Sequence, residues 1–303
     1  MTGPLITPAN VTRLAEVAQA KRGWITEIRW SAHGNALAVS SATGIALYTV
    51  PGLNLRGVLE GHTGHVKSLA VSADSSTIIS ASADTTLRRW VLKHGGRFQE
   101  MRGHSDSVNG VALSPDGQLA ASVGGDHTVR LWDVTDGKEL ALFEGHTDEL
   151  TCVTFCHNGQ MIASGGWDNT IRLWDIATKS LVATFQHDDW VRALAPSPVE
   201  PHIIASASKD MTLRLWDLQT QQQRLLIQGH ANGADSLSFS RDGQLLASGG
   251  RDNLLKVWDA TTGEMLASIE AHSKPVMSVA FSPDGCYLAS GSGDNTLRLW
   301  AIT

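Results

Sequence analysis

Residues 103–133 read GHSDSVNGVALSPDGQLAASVGGDHTVRLWD. A Gly-His pair opens the stretch, an SPDG turn sits at 114–117, the run Leu119-Ala120-Ala121-Ser122 follows, and Asp126-His127-Thr128 precedes the closing Leu131-Trp132-Asp133. Residues 128–132 alternate and are β-branched, which predicts a strand, and residues 108–113 and 245–248 read the same way. Gly, Asn, Asp and Pro clusters break these runs at short intervals, so long helices have little room.

The stretch recurs. Trp90, Trp132, Trp174, Trp216, Trp258 and Trp300 stand 42 residues apart, and Tyr48 continues the series backward by the same step. Leu173-Trp174-Asp175, Leu215-Trp216-Asp217 and Val257-Trp258-Asp259 repeat the ending. Gly-His pairs at 61–62, 145–146 and 229–230 repeat the opening, with Gln186-His187 and Ala271-His272 in the same slot. Self-similarity at a fixed period is read before local structure. It predicts seven units of about four short antiparallel strands each.

In period and text the units resemble WD40 repeats, and the resemblance covers almost the whole chain. It implies an all-β fold: a seven-bladed β-propeller of four-stranded antiparallel blades around a central channel, one domain over residues 1–303. It also implies a role in docking peptides or other domains. Reading each unit from its His as strands a to d, the last unit ends after Trp300 with no residues for strand d. Residues 12–18 are therefore expected to supply it and cover an edge otherwise open. Local propensity pulls the other way: Asn10 followed by VTRLAEVAQAK also reads as a capped helix with Leu14, Val17 and Ala18 on one side.

His104, Ser122 and Asp126 are the residue types of a hydrolase triad. Repetition decides against catalysis, because the set returns with the unit Trp added. It appears as His62, Ser80, Asp84, Trp90 and as His146, Ser164, Asp168, Trp174. It appears again as His187, Ser206, Asp210, Trp216, with one extra residue in the turn around 198–201, and as His230, Ser248, Asp252, Trp258. The last copy is His272, Ser290, Asp294, Trp300. In the family resembled, these positions form a structural tetrad, and here Trp132 completes the set of His104. Buried indole and imidazole N–H groups each need a partner, and leaving one unpaired costs roughly 1–3 kcal/mol. The first unit departs from the pattern: its Ser slot falls at Ala38 or Val39, its Asp slot at Ala42 or Thr43, and its His slot near Lys21. It carries Trp24 and Trp30 instead, and apolar packing is expected to hold it.

Composition bounds the remaining possibilities. The chain has 303 residues, 42% of them apolar and 18% charged, with a net charge of −6. That balance disfavours nucleic acid or an anionic membrane as the partner. Three Cys in a long chain imply no disulfide framework, and the start lacks a signal peptide's basic and apolar segments. A cytoplasmic, monomeric protein without cofactor or metal is expected. Cys152 and Cys156, four apart on a strand, lie roughly 13 Å apart by rise, too far to bridge. Arg88, Arg130, Arg172, Arg214, Lys256 and Arg298, each two before the Trp, read as snorkelling or paired strand residues.

Residues that differ between units at one offset are where recognition can reside. Two loops per blade reach the same rim: the d–a segment after the His and the b–c turn before the Asp. The third residue after the His gives His65, Ser107, Glu149, Trp190, Gly233 and Pro275, with Trp24 aligned in the first unit. The fifth gives Lys67, Asn109, Thr151, Arg192, Asp235 and Met277. The residue before the Asp gives Ala83, Gly125, Trp167, Lys209, Arg251 and Gly293. Neighbouring blades 4, 5 and 6 thus bring Trp167, Trp190, Arg192, Lys209 and Arg251 to one arc. Trp and Arg are enriched at binding hot spots, and the cluster suggests a partner with carboxylates or aromatics, such as an acidic peptide. Asp188 and Asp189 read as a solvated turn. The expected function is a non-catalytic protein–protein interaction scaffold. The alternative is a docking or sensor module of a larger assembly, with a channel enzyme least favoured.

Overall fold

A computed structural model of the chain describes residues 3–42, 44–94 and 97–303. The alternating runs form strands. In the second unit, strand a is Val66–Val71, b is Thr77–Ser82, c is Thr86–Val91 and d is Arg97–Arg102. Each pairs antiparallel with the next. The same plan gives seven four-stranded sheets among the described residues. Helix is confined there to three single turns of 3-10 type, Val11–Arg13, Leu92–His94 and His157–Gly159. Turn chemistry repeats with the period as well. Thr85, His127, Asn169, Met211, Asn253 and Asn295 all have positive φ at the same place in the b–c turn. The preceding Asp supports this uncommon conformation by accepting the N–H one residue beyond it, as Asp84 does from Thr86 at 3.1 Å.

The innermost strands lie side by side around the channel, the seventh against the first, so the ring closes. Side-chain bonds pin neighbours together: Val111 N–H donates to Ser68 Oγ at 3.1 Å, and Ile28 N–H to Ser278 Oγ at 3.0 Å. The hydrophobic core is distributed between blades. Trp132 packs with Ile79, Ala81, Leu87 and Met101 of the preceding blade, and Trp174 packs with Leu131, Ala141 and Phe143. Blades with one apolar layer on each face cannot bury both alone, so the closed circle is the arrangement that covers all of them.

The chain ends meet as a strand pair. Leu14–Lys21 runs antiparallel to Thr296–Ile302, from Leu14 opposite Ile302 to Lys21 opposite Thr296, with a bulge between Glu16 and Ala18. The strand starts two residues later than expected and ends three later, because Thr12 lies in the 3-10 turn. The competing helix does not form. Asn10 makes no cap bond to that turn; its Oδ1 accepts the Thr7 N–H at 2.8 Å instead. The open edge of the last blade offers this segment a ladder of backbone bonds, whereas a short isolated helix is marginal in water. Arg298 adds a 2.8 Å contact to Glu16 across the seam.

Among the described residues the first blade (Ile25–Trp30, Ala36–Ser41, Gly44–Thr49 and Asn54–Glu60) has no tetrad. Val39 pairs with Ala46 where Ser80 pairs with Arg88 in the next blade, so Val39 holds the Ser slot. Of the expected Asp slot, Thr43 lies outside the described residues. Apolar packing replaces the network: Ile25, Ile28, Leu37, Val39 and Tyr48 form one buried cluster with blade 7. Trp30 stacks on Tyr287 at 6.4 Å and donates its N–H to the Ala280 carbonyl at 2.9 Å.

Candidate functional site at one channel mouth

The loops that carry the variable residues are braced from below by the repeated polar set. His62 Nδ1–H donates to Asp84 at 2.7 Å, the Ser80 hydroxyl lies 2.7 Å from His62 Nε2, and the Trp90 N–H donates to Ser80 Oγ at 2.8 Å. The same chain of bonds joins His104, Ser122, Asp126 and Trp132, and His146, Ser164, Asp168 and Trp174. It recurs through His187, Ser206, Asp210 and Trp216 despite the extra turn residue. His230, Ser248, Asp252 and Trp258 repeat it, as do His272, Ser290, Asp294 and Trp300. Every one of the six Ser side chains sits in a residue that is 0% exposed. The hydroxyl is thereby sealed from any substrate, and its lone pair is occupied by the indole N–H.

Electrostatics match a neutral imidazole held by an ionised carboxylate. Burial pushes His62, His146, His230 and His272 below the ordinary imidazole value, against the pull of their Asp partners. Burial acts to raise Asp84, but bonds from the Thr86 hydroxyl, His62 and the Thr63 N–H outweigh it and hold the carboxyl well below the usual range. Asp294 is held at about 2 by the same balance, burial opposing bonds from Thr296 and the Ser273 N–H. Each such Asp joins the loop after the His to the b–c turn, so both rim loops share one anchor.

Above these anchors, Trp24, Trp167, Trp190, Arg192 and Arg251 line one concavity of about 620 Å³, together with His65, Lys67, Glu149, Asp235 and Met277. Trp167 and Trp190 lie stacked, with ring centroids 4.3 Å apart and 9° between planes. Lys209, expected in this group from the sequence, does not line the concavity: its ammonium lies 4.0 Å from the centre of Trp190 and 3.2 Å from Asp189. Trp24 comes from the tetrad-less blade, is 49% exposed and lies against Gly293 of blade 7.

The arginines are less free than their sequence positions suggest. Arg192 donates to Asp235 at 2.9 Å, its side chain only 9% exposed. Burial pushes Arg192 below its ordinary pKa while Asp235 pulls it back. Arg251 donates its Nε–H to both oxygens of Asp235, at 3.2 and 3.0 Å. Sequence reasoning noted Asp235 in its series but not as a member of the site. The signal was present: Arg192 and Asp235 hold the same offset in adjacent blades, which places them side by side on the inner ring. Of the turn read as solvated, Asp188 is exposed and contacts Arg214 at 2.9 Å, while Asp189 pairs with Lys209.

Five of the six periodic cations are paired: Arg88 with Glu100, Arg130 with Glu139, Arg214 with Asp188 and Asp210, Lys256 with Asp252, and Arg298 with Glu16. Arg172 makes no ion pair among the described residues, and its Nε is buried without a hydrogen-bond partner. Cys152 and Cys156 are free thiols, and burial pushes both up to about 12. Among the described residues no helix is long and apolar enough to cross a membrane.

A closed ring of repeated four-stranded blades with polar brackets beneath its loops defines a repeat-built β-propeller. The sequence model of the family described as WD domain, G-beta repeat, matches residues 53–90, 95–133, 137–175, 179–217, 221–259 and 263–301. The chain belongs to this WD40 family, whose members are typically protein-interaction scaffolds. It is also similar to the small ribosomal subunit protein RACK1y of Oryza sativa subsp. japonica, 33% identical over 76 residues. That match spans 24% of this chain and 23% of the rice protein, so the chain covers about a quarter of that relative's length.

Proposed function

We propose that this protein is a non-catalytic scaffold that docks a peptide or protein segment on the rim formed by the d–a and b–c loops. The observation that carries this is convergence. The side chains that break the repeat pattern at three different offsets, on blades 1, 4, 5 and 6, line a single mouth of the channel. Trp and Arg in a concave site are the composition of interaction hot spots. An exposed Trp24 on a blade that has lost its tetrad fits a surface kept for contact rather than for stability. Arg192, Arg251 and Asp235 together carry one net positive charge, which favours a partner bearing carboxylates. The family's usual role and the sealed Ser hydroxyls support a binding rather than a catalytic protein. The reading includes a protein that is monomeric by itself and cytoplasmic, with no membrane or nucleic-acid ligand.

A second reading, a docking module within a larger assembly, is favoured by the partial likeness to a protein named as part of the small ribosomal subunit. Both readings use the same mouth. Affinity capture from cell extract with the wild type and a Trp24→Ala/Arg251→Ala variant tests them. Both side chains are about half exposed, so the variant is expected to keep its melting temperature and lose its partner. A variant that retains every partner would remove the mouth from consideration.

A further inference from the structure

The cations lining the mouth are held differently: Lys67 is exposed and makes no ion pair among the described residues, Arg192 is buried, and Arg251 is half-exposed. Lys209 does not line the concavity; it pairs with Asp189 at 3.2 Å with its ammonium over Trp190 and its side chain 40% exposed. Arg192 is buried against Asp235, whose own side chain is 6% exposed. Arg251 differs: it uses only Nε toward Asp235, and its side chain is 46% exposed. Among the described residues its terminal nitrogens make no hydrogen bond. One buried carboxylate therefore serves two guanidiniums, and the outer one keeps its forked end toward solvent.

The two halves of this triad are unequal. Breaking the buried Arg192–Asp235 contact would strand two desolvated charges, whereas releasing Arg251 from Asp235 leaves a half-exposed guanidinium that water can solvate. Arg251 is the member that can turn. Its guanidinium matches a carboxylate bidentately, which an ammonium does not. The stacked Trp167–Trp190 pair and Trp24 line the same concavity and give it an apolar wall.

Taking the mouth as the docking site proposed above, we propose that Arg251 receives an acidic side chain of the partner peptide. Asp235 is then the built-in competing carboxylate that sets how tightly that side chain is held. Asp235 thus acts on affinity and selectivity rather than touching the partner itself. Removing its charge leaves Arg251 unsatisfied and raises the local positive charge by one, so binding of an acidic segment strengthens. Loss of Arg251 removes the receptor.

The test is fluorescence anisotropy of a labelled hexaglutamate peptide, with hexaglutamine of equal length as control, titrated with the full chain. The wild type should bind hexaglutamate and not hexaglutamine. Asp235→Asn should bind hexaglutamate at least fivefold more tightly, Arg251→Ala at least fivefold more weakly, and Arg251→Lys in between. Equal affinities across these variants, or no binding of hexaglutamate by any of them, would overturn the assignment. Should Asp235→Asn fail to fold, Arg251→Ala and Arg251→Lys decide alone at unchanged melting temperature. Partner capture that depends on Trp24 while hexaglutamate binding ignores Arg251 would overturn this inference and leave the docking site standing.

Discussion

The indole of Trp167, from the b–c turn of blade 4, lies parallel to that of Trp190, from the d–a loop of blade 5. Two residues 23 apart in sequence thereby fasten adjacent blades at the rim and form one wall of the mouth. Trp167→Ala should abolish the exciton-coupled signal of the paired indoles in circular dichroism. An offset-stacked aromatic pair is worth about 0.5–1.5 kcal/mol beyond its area, so folding should survive with a small loss of stability. Persistence of the coupled signal in the variant would mean that the rings do not stack.

Asp126 ties four donors together: His104 Nδ1–H at 2.9 Å, the Ser105 N–H at 3.1 Å, and the Thr128 N–H and hydroxyl at 3.2 and 2.8 Å. Asp126→Ala leaves a buried imidazole N–H without an acceptor. At roughly 1–3 kcal/mol per stranded group, urea denaturation should show a loss of about 2–4 kcal/mol. An unchanged midpoint and slope would contradict a structural tetrad.

Closure predicts a large effect from a terminal change. Removing residues 1–20 deletes most of strand Leu14–Lys21 and exposes the backbone edge of Thr296–Ile302. Thermal unfolding should move to markedly lower temperature and lose cooperativity, because the ring opens at one seam. If the transition were the same as in the full chain, the strand pairing would not be what holds the ends.

Acid should unfold the protein in two stages. The buried imidazoles of His62, His146, His230 and His272 have lowered pKa values, so below about pH 6.5 the unfolded chain takes up protons that the folded chain resists. Their contribution is intact above that pH and falls as pH drops toward the folded values. The tetrad carboxylates, also lowered, add a second loss below about pH 4. Each additional proton bound by the unfolded chain tilts stability by about 1.4 kcal/mol per pH unit. Denaturation midpoints should be level from pH 8 to 7 and decline steadily from pH 6.5 to 4. A midpoint constant down to pH 5 would rule out neutral buried histidines.

Two glycines separate space from conformation. A Cβ at Gly250 would collide with the ring of His230, and it would lie 2.6 Å from Asp252 Oδ1. Gly250→Ala should therefore break the tetrad of blade 6 and cost several kcal/mol, as overpacking a rigid core does. A Cβ at Gly57, within strand Asn54–Glu60, meets nothing within 4 Å. Gly57→Ala should stabilise by about 0.5–1 kcal/mol through lost chain entropy. Melting temperatures of the two variants should move in opposite directions.

Most of this architecture is legible in the chain itself. The 42-residue spacing from Trp90 to Trp300 sets the repeat of the blades, and the recurrence of His, Ser and Asp around each Trp identifies a bracket rather than an active site. Both follow because a repeat must satisfy the same local rules in every copy: alternation on the strands, turn chemistry between them, and a partner for each buried N–H. The missing strand at the end of the last unit even indicates where the N-terminus must go, although Asn10 and the residues after it favour a helix on their own.

Three-dimensional packing decided what no single offset reveals. It set the strand at Leu14–Lys21, turned the two tryptophans of blades 4 and 5 face to face, and gave both Arg192 and Arg251 to Asp235. Those outcomes depend on which side chains meet across a blade boundary, where distance, burial and the charge already present determine whether a group stays free or is neutralised.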